Sequence, residues 1–185
     1  MKEDSRSRLL VFVAHCILNQ NAVVKELAVA KGILKEVVDA LAELGVGLIQ
    51  LPCPETGHAG LKRFWHTREQ YDSVGFRRYC YYLAEEAVNT ALEYENNGYK
   101  VLAVIGIRGS PSCGVTQTTT GWLGGDPRKA GEYNRVEGAG VFMEILREVF
   151  ESYGLKPAMT DVDVNRLKES ATELRRFLGD LICRK

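Results

Sequence analysis

The chain has 185 residues, and its 24 lysines and arginines balance its 24 aspartates and glutamates. This length suits one sizeable core, so we expect residues 1–185 to form a single domain. Zero net charge provides no strong field for nucleic acid or an anionic membrane, and neither is expected as a partner. No stretch approaches the ~20 apolar residues of a membrane span. Five cysteines are an odd set for a disulfide framework, which favours a reducing cytoplasm.

Apolar runs alternate with helical patterns along the chain. The runs predict four strands, at Leu9 to Ala14, Val46 to Leu51, Val101 to Ile107 and Ala158 to Thr160. The 3.6-residue patterns predict four helices, at 28–44, 68–97, 137–153 and 163–177, the last with Asp163 as its N-cap. A β-α-β-α-β-α-β-α order predicts an α/β fold, namely an open three-layer α/β/α sandwich with a mostly parallel sheet, Rossmann-like or flavodoxin-like.

Two connections are long and polar. The segment 56–68 is long for a connector in a compact domain, and such loops are often functional. The segment 115–128 is rich in threonine and glycine and predicts a short hairpin or a mobile lid.

Three cysteines follow three of the predicted strands. Cys16 comes after the first, Cys53 after the second and Cys113 shortly after the third. Ligand sites of parallel sheets lie beyond the carboxyl ends of the strands, and neighbouring strands are ~5 Å apart. The three thiolates are therefore expected to meet at one edge, where they would select a soft centre: zinc, copper(I) or an iron–sulfur cluster.

The spacing of the cysteines leaves the metal undecided. Structural zinc would need a fourth ligand, for which His15 and His58 are candidates, and no CxxC pair is present. A 4Fe–4S cluster held by three cysteines would keep one iron open to a substrate. A Cys-loop phosphatase is excluded, because Ala22, Ala59 and Thr119 stand six residues after the cysteines where that class needs arginine.

Sequence motifs add a family resemblance. The early strand ending in Cys16, the CPE of Cys53–Glu55 and the RGSPSCG of Arg108–Gly114 resemble a family of unknown function that includes thiouracil desulfurase. The resemblance covers roughly the first two-thirds of the chain. It implies a 4Fe–4S cluster on Cys16, Cys53 and Cys113, and a small-molecule substrate such as a thiolated pyrimidine whose sulfur is removed at the open iron.

The resemblance also suggests the acid–base residues. Glu55, two residues after a proposed ligand, is the expected catalytic carboxylate, and Ser110 and Ser112 are expected to orient the substrate or supply a proton. Two segments depart from the family pattern, CILNQNAVV after the first strand and TGHAGLKRFWHTRE after CPE. Both flank the expected pocket, so substrate identity does not follow from the resemblance.

Competing interpretations remain at this stage. The protein could be a flavodoxin-like module whose RGSPSCG loop, threonines and backbone N–H groups from Ser112 to Val115 bind a phosphate, nucleotide or flavin, with structural cysteines. It could also be a zinc protein, or bind no metal in an aerobic preparation. Cys80 is expected in the core, Cys183 in a loose basic tail, and Arg63 and Arg108 at the surface or steering an anionic substrate. Oligomeric state is not predicted.

Overall fold

A computed structural model of the protein describes residues 4–122, 124–126 and 132–183. A four-stranded sheet forms its centre, with strands at Leu9–Val13 (β1), Gly47–Gln50 (β2), Lys100–Ile107 (β3) and Ala158–Val162 (β6). These strands are parallel and lie in the order β2-β1-β3-β6. β3 is buried along nearly its whole length, as its continuous apolar run predicts.

Helices cover both faces of this sheet. The longer ones are Lys35–Glu43 (α2), Val74–Asn96 (α5), Val141–Ser152 (α6) and Leu167–Cys183 (α7). α5 packs along α6, and α2 packs along α7. The predicted α/β fold with a parallel sheet between helices is confirmed, and the strand order is the flavodoxin-like one.

The remaining elements are short and lie mostly at the carboxyl ends of the strands. They are His15–Leu18 (α1), a 3-10 turn at Gln20–Ala22, Pro54–Ala59 (α3), Arg68–Tyr71 (α4), and the strands Gln117–Thr120 (β4) and Asn134–Glu137 (β5). β4 and β5 pair antiparallel, so the predicted segment 115–128 contributes one strand of a hairpin whose other strand lies beyond it. Residues 123, 127 and 128 of that segment lie outside the described residues. Within the described ranges, no helix combines the length and the apolar character that crossing a membrane requires.

The predicted helix over 28–44 is wrong in its first part, because α2 begins only at Lys35. The preceding residues are used to fix the loop after Cys16. Gly32 accepts a hydrogen bond from the N–H of Gln20, and the N–H of Leu34 donates to Ile17. Their backbone groups therefore serve the loop rather than a helix.

The predicted helix over 68–97 is interrupted. Residues 72 and 73 separate α4 from α5, and the side chain of Ser73 accepts from the N–H of Phe76 to cap α5. Thr67 forms a capping box with Gln70 at the start of α4. These polar caps start a new helix at a place where apolar spacing alone suggests one continuous helix.

Two further helix boundaries differ from prediction. Glu137 ends β5 rather than starting a helix, because it pairs with Gln117, and α6 begins at Val141. The last helix begins at Leu167, so Asp163 lies before it and accepts from the N–H of Asn165 in a turn. α7 reaches Cys183, so of the two positions expected for this residue, a loose tail or a helix cap, the structure has it exposed at the end of a helix.

Candidate active site

The three strand-end cysteines follow three adjacent strands. Cys16 is the second residue of α1 after β1, Cys53 is the N-cap of α3 after β2, and Cys113 lies in the turn after β3. Cys16 and Cys53 are half-buried and Cys113 is buried. Because β2, β1 and β3 are neighbours in one parallel sheet, their carboxyl ends bring these residues to the same edge.

Burial and neighbouring charges act on two of the three thiols. Burial, and then the charges of Cys53 and Glu55, raise the pKa of the Cys16 thiol to about 12. Burial also raises the pKa of Cys113 well above its ordinary value, followed by the charges of Cys16 and Cys53. Three thiolates here would repel one another in a partly dry site, so their joint ionisation requires a bound cation.

The three cysteines do not have the arrangement of a site for a single metal ion. Among the residues with described positions, no three His, Cys, Asp or Glu side chains are placed to hold a single metal ion. A cubane cluster instead distributes its cysteine ligands over separate irons. A donor set of three thiolates at strand ends would suit such a centre.

Glu55 is a buried carboxylate between two cysteine-bearing segments. It is only 9% exposed, unlike the exposed loop charge that a polar connection would suggest. Its Oε1 accepts a 2.6 Å hydrogen bond from Ser112 Oγ, and its Oε2 accepts a 3.0 Å bond from Arg63 Nε. Ser112 Oγ also lies 3.4 Å from the Sγ of Cys113. The predicted Glu55 and Ser112 are thus brought together beside the thiols.

Ser110 mainly shapes the turn that presents Cys113. Its Oγ accepts from the N–H of Cys113 at 3.0 Å, and its carbonyl accepts from the N–H of Gly114. The Ser110 and Ser112 hydroxyls are 3.4 Å apart. Ser110 therefore adjoins the Glu55–Ser112 pair, but its strongest bonds are those of a turn residue.

The turn after Cys113 is anchored by Asp161, at the carboxyl end of β6. The Asp161 carboxylate accepts from the N–H groups of Val115 and Thr116 at 2.9 and 2.7 Å, and from Arg108 Nε at 3.0 Å. This buried carboxylate occupies donors that a phosphate would need. Gly140 is also required here, since a Cβ would lie 2.5 Å from the backbone carbon of Ser112.

The anion-binding interpretation of this loop is therefore wrong for most of its donors. The N–H groups of residues 113–116 donate to Ser110 or Asp161. The hydroxyls of Thr118 and Thr119 donate to the carbonyls of Ser110 and Gly109. These groups hold the loop together, so they are not available to grip a phosphate or flavin.

Gln20 organises the loop after Cys16. Its side chain is buried; Nε2 donates to the carbonyl of Cys16 at 2.7 Å and Oε1 accepts from the N–H of Val29 at 3.0 Å. This amide fixes the backbone of the first cysteine-bearing segment. The sequence alone gave no sign of it beyond the polar run that follows Cys16.

Two buried polar atoms lie beside Glu55 without a partner. Among the described residues, the hydroxyl of Tyr71 and Nδ1 of His66 are the buried side-chain atoms with no hydrogen bond. Burial, and then the charge of Glu55, raise the pKa of Tyr71, while burial lowers the pKa of His66. The two rings contact edge to face at 4.9 Å, so polar groups surround Glu55 on more than one side.

Several other predicted candidates lie in structural roles. Cys80 is fully buried in the core, as expected. His58 packs edge-on against Phe76 with ring centroids 5.2 Å apart. Arg108 binds Asp161, and Arg63, expected at the surface or steering an anionic substrate, is buried against Glu55. Sequence reasoning missed Asp161 and Gln20, and it did not predict the pairing of Arg63 with Glu55.

Comparisons with known proteins extend the resemblance. The sequence model of the family described as "Putative 2-thiouracil desulfurase" matches residues 8–134. "Uncharacterized protein MJ0003" of Methanocaldococcus jannaschii is 39% identical over 110 residues, covering 60% of this chain and 70% of that protein. A solved structure described as the 4Fe-4S-dependent thiouracil desulfidase TudS aligns with 89% of this chain and 96% of its own, at a TM-score of 0.47 and 22% identity.

Proposed function

The chain belongs to the family described as "Putative 2-thiouracil desulfurase", whose sequence model it matches over residues 8–134, and from that premise we propose that it removes sulfur from a thiolated small molecule. Cys16, Cys53 and Cys113 would hold a 4Fe–4S cluster. The observation that carries the proposal is geometric: the cysteines that follow three adjacent parallel strands come to one sheet edge, where the buried Glu55–Ser112 hydrogen bond adjoins the Sγ of Cys113.

The cluster and the side chains would have different roles in the reaction. When bound, a cluster with three cysteine ligands supplies an open iron, a thiophilic Lewis acid for a thiocarbonyl sulfur. The net reaction exchanges this sulfur for the oxygen of one water and releases one hydrogen sulfide. A carboxylate is needed to take a proton from that water and return it, and Glu55 is a buried carboxylate bonded to Ser112, whose hydroxyl also contacts the Sγ of Cys113.

Ser112 would orient Glu55. Its hydroxyl donates to Oε1, which leaves the second oxygen bonded to Arg63 and fixes the plane of the carboxylate. Ser110, at 3.4 Å from Ser112, would extend this hydrogen-bonded chain toward the substrate. The proposed substrate is a thiolated pyrimidine or a related sulfur compound.

Sulfide release tests the proposal. Protein reconstituted with iron and sulfide without oxygen and then desalted is incubated with 2-thiouracil, and sulfide and uracil are measured together. We expect equal amounts of both, and a rate about 100-fold to 10,000-fold lower in Glu55→Gln with the cluster retained. Glu137→Gln, at an exposed position of β5, is the matched control. Fully loaded protein that releases no sulfide from thiolated pyrimidines would contradict the proposed activity.

A further inference from the structure

Hydrogen bonds link the side chain of Arg63 to the three segments that carry Cys16, Cys53 and Cys113. The links to the first two segments are direct, and the link to the third passes through Glu55. Its Nη2 donates to the carbonyl of Ala22 at 2.9 Å, in the loop after Cys16. Its Nη1 donates to Thr56 Oγ1 and to the carbonyl of Gly60, both at 3.2 Å, in and after the helix that Cys53 caps. One guanidinium therefore bonds the segment of the first cysteine to the segment of the second.

The link to the third cysteine passes through Glu55. Arg63 Nε donates to Glu55 Oε2 at 3.0 Å, and Glu55 Oε1 accepts from Ser112, the residue before Cys113. Thr56 adds a parallel tie, since its hydroxyl contacts the same Ala22 carbonyl at 3.3 Å. A continuous set of hydrogen bonds thus runs from the loop of Cys16 to the turn of Cys113.

The arrangement requires arginine rather than any cation. The side chain of Arg63 is 3% exposed and uses all three of its nitrogens, toward partners from separate parts of the chain. A guanidinium presents its donors in a rigid planar fork, whereas lysine offers one flexible ammonium. Lysine could keep the charge opposite Glu55, but it could not hold Ala22 and Gly60 as well.

We infer that Arg63 is a positioning residue that holds the three segments carrying Cys16, Cys53 and Cys113 in fixed relative positions before any iron binds. The inference rests on the proposed function only for the identity of the group that the thiols would bind. The relative positions of the three segments do not depend on that function. It predicts that loss of the guanidinium separates the thiols in metal-free protein and weakens their hold on a cluster, although the hydrogen bonds described for Arg63 go to other groups than the site thiols.

The test compares Arg63→Lys with wild type. The matched control is Arg77→Lys, because Arg77 is likewise ion-paired, with Asp72 and Glu144, but these partners lie outside the segments that carry Cys16, Cys53 and Cys113. Metal-free protein is treated with dibromobimane, which becomes fluorescent when it bridges two nearby thiols, and the bridged peptides are mapped. Iron retention against a chelator is measured separately after anaerobic reconstitution, and circular dichroism confirms folding.

We expect wild type and Arg77→Lys to be bridged between site cysteines, and Arg63→Lys to be bridged much less. Iron retention should fall about 10-fold to 100-fold in Arg63→Lys alone. If Arg63→Lys does not fold, Thr56→Val replaces it, because it removes a tie to Ala22 while leaving the Glu55–Arg63 pair, and a smaller change in the same direction is expected.

The outcomes separate the two proposals. Equal bridging and equal iron retention in wild type and Arg63→Lys would overturn the role of Arg63. Wild type that is not bridged would overturn it as well, since the thiols would then not be held close together in the metal-free protein. Wild type that is bridged, with bridging lost in Arg63→Lys, but that takes up no iron would support the role of Arg63 and contradict the proposed cluster enzyme.

Discussion

Ser112 Oγ donates a 2.6 Å hydrogen bond to Glu55 Oε1, joining two residues that are 57 positions apart in the sequence. Each stands next to a proposed ligand, Glu55 two residues after Cys53 and Ser112 one residue before Cys113. The bond therefore connects the ends of two strands through the side chains expected to act on substrate. This hydrogen bond holds the Glu55 carboxylate inside the site instead of leaving it as an exposed charge on a surface loop.

Removal of the Ser112 hydroxyl should lower turnover per cluster. In Ser112→Ala, Glu55 loses the donor that orients Oε1, and we expect kcat for sulfide release to fall about 100-fold. Because the change also cuts the tie between Glu55 and the turn of Cys113, bound iron is measured in each variant and kcat is expressed per cluster. Ser152→Ala, at the end of α6, serves as the control with the same chemical change. Unaltered kcat in fully loaded Ser112→Ala would exclude the hydroxyl from the reaction.

Gly140→Ala should disturb the turn that carries Cys113. The new Cβ would lie 2.5 Å from the carbonyl carbon of Ser112 and 2.8 Å from the carbonyl oxygen of Pro111, both backbone atoms. We expect a loss of about 1–3 kcal/mol in the free energy of unfolding. Gly179→Ala in α7, where a Cβ meets nothing within 4 Å, should be neutral or stabilising by about 0.5–1 kcal/mol. Urea unfolding of both variants checks this, and equal effects would contradict it.

Asp161→Ala should loosen the same turn from its other side. The side chain of Asp161 is fully buried, and its loss leaves the N–H groups of Val115 and Thr116 without their acceptor. Each orphaned donor is expected to cost about 1–3 kcal/mol. The measurement is the urea midpoint of metal-free protein, compared with Asp180→Ala at an exposed position of α7. A change no larger than that of the control would show that Asp161 does not anchor the turn.

Cys80 should behave as a buried, protonated thiol. Burial raises its pKa from 9.0 to about 12, so iodoacetamide at pH 8 should modify exposed Cys183 and leave Cys80 unmodified until the protein unfolds. Between pH 9.0 and about 12 the unfolded chain binds fewer protons at this position than the native protein. The contribution of Cys80 to stability is therefore complete below pH 9.0 and decreases as pH rises.

The pH dependence can be isolated with one variant. Stability measured from pH 8 to pH 11 should decline less steeply in Cys80→Ala than in wild type, because the variant lacks the titrating thiol. Peptide mapping after alkylation gives the second readout. Rapid labelling of Cys80 in native protein would contradict its burial.

The sheet could be predicted because its strands are continuous apolar runs. β3 is predicted at Val101 to Ile107 and observed at Lys100–Ile107, since few other structures bury such a run on both faces. The meeting of Cys16, Cys53 and Cys113 at one edge follows from parallel topology. The same rule would have found Asp161, but the predicted fourth strand ended at Thr160, one residue too early.

The part of the site around Glu55 and Arg63 depends on contacts that leave no periodic pattern in the sequence. α3 has the sequence PETGHA, which lacks an apolar stripe; it forms because Pro54 suits the first turn and Cys53 Sγ accepts from the N–H of Thr56. Arg63 is buried only because this helix brings Glu55 and Thr56 to it. An arginine among polar residues gives no sequence signal that distinguishes this environment from the surface.

Iron and acid-labile sulfide per chain, measured on protein purified and reconstituted without oxygen, test the central claim most directly. We expect about four of each in wild type and in Cys80→Ala, and loss of the cluster in Cys16→Ala, Cys53→Ala and Cys113→Ala. Wild-type protein that remains free of iron after reconstitution, or a cluster that survives in all three of these variants, would contradict the account.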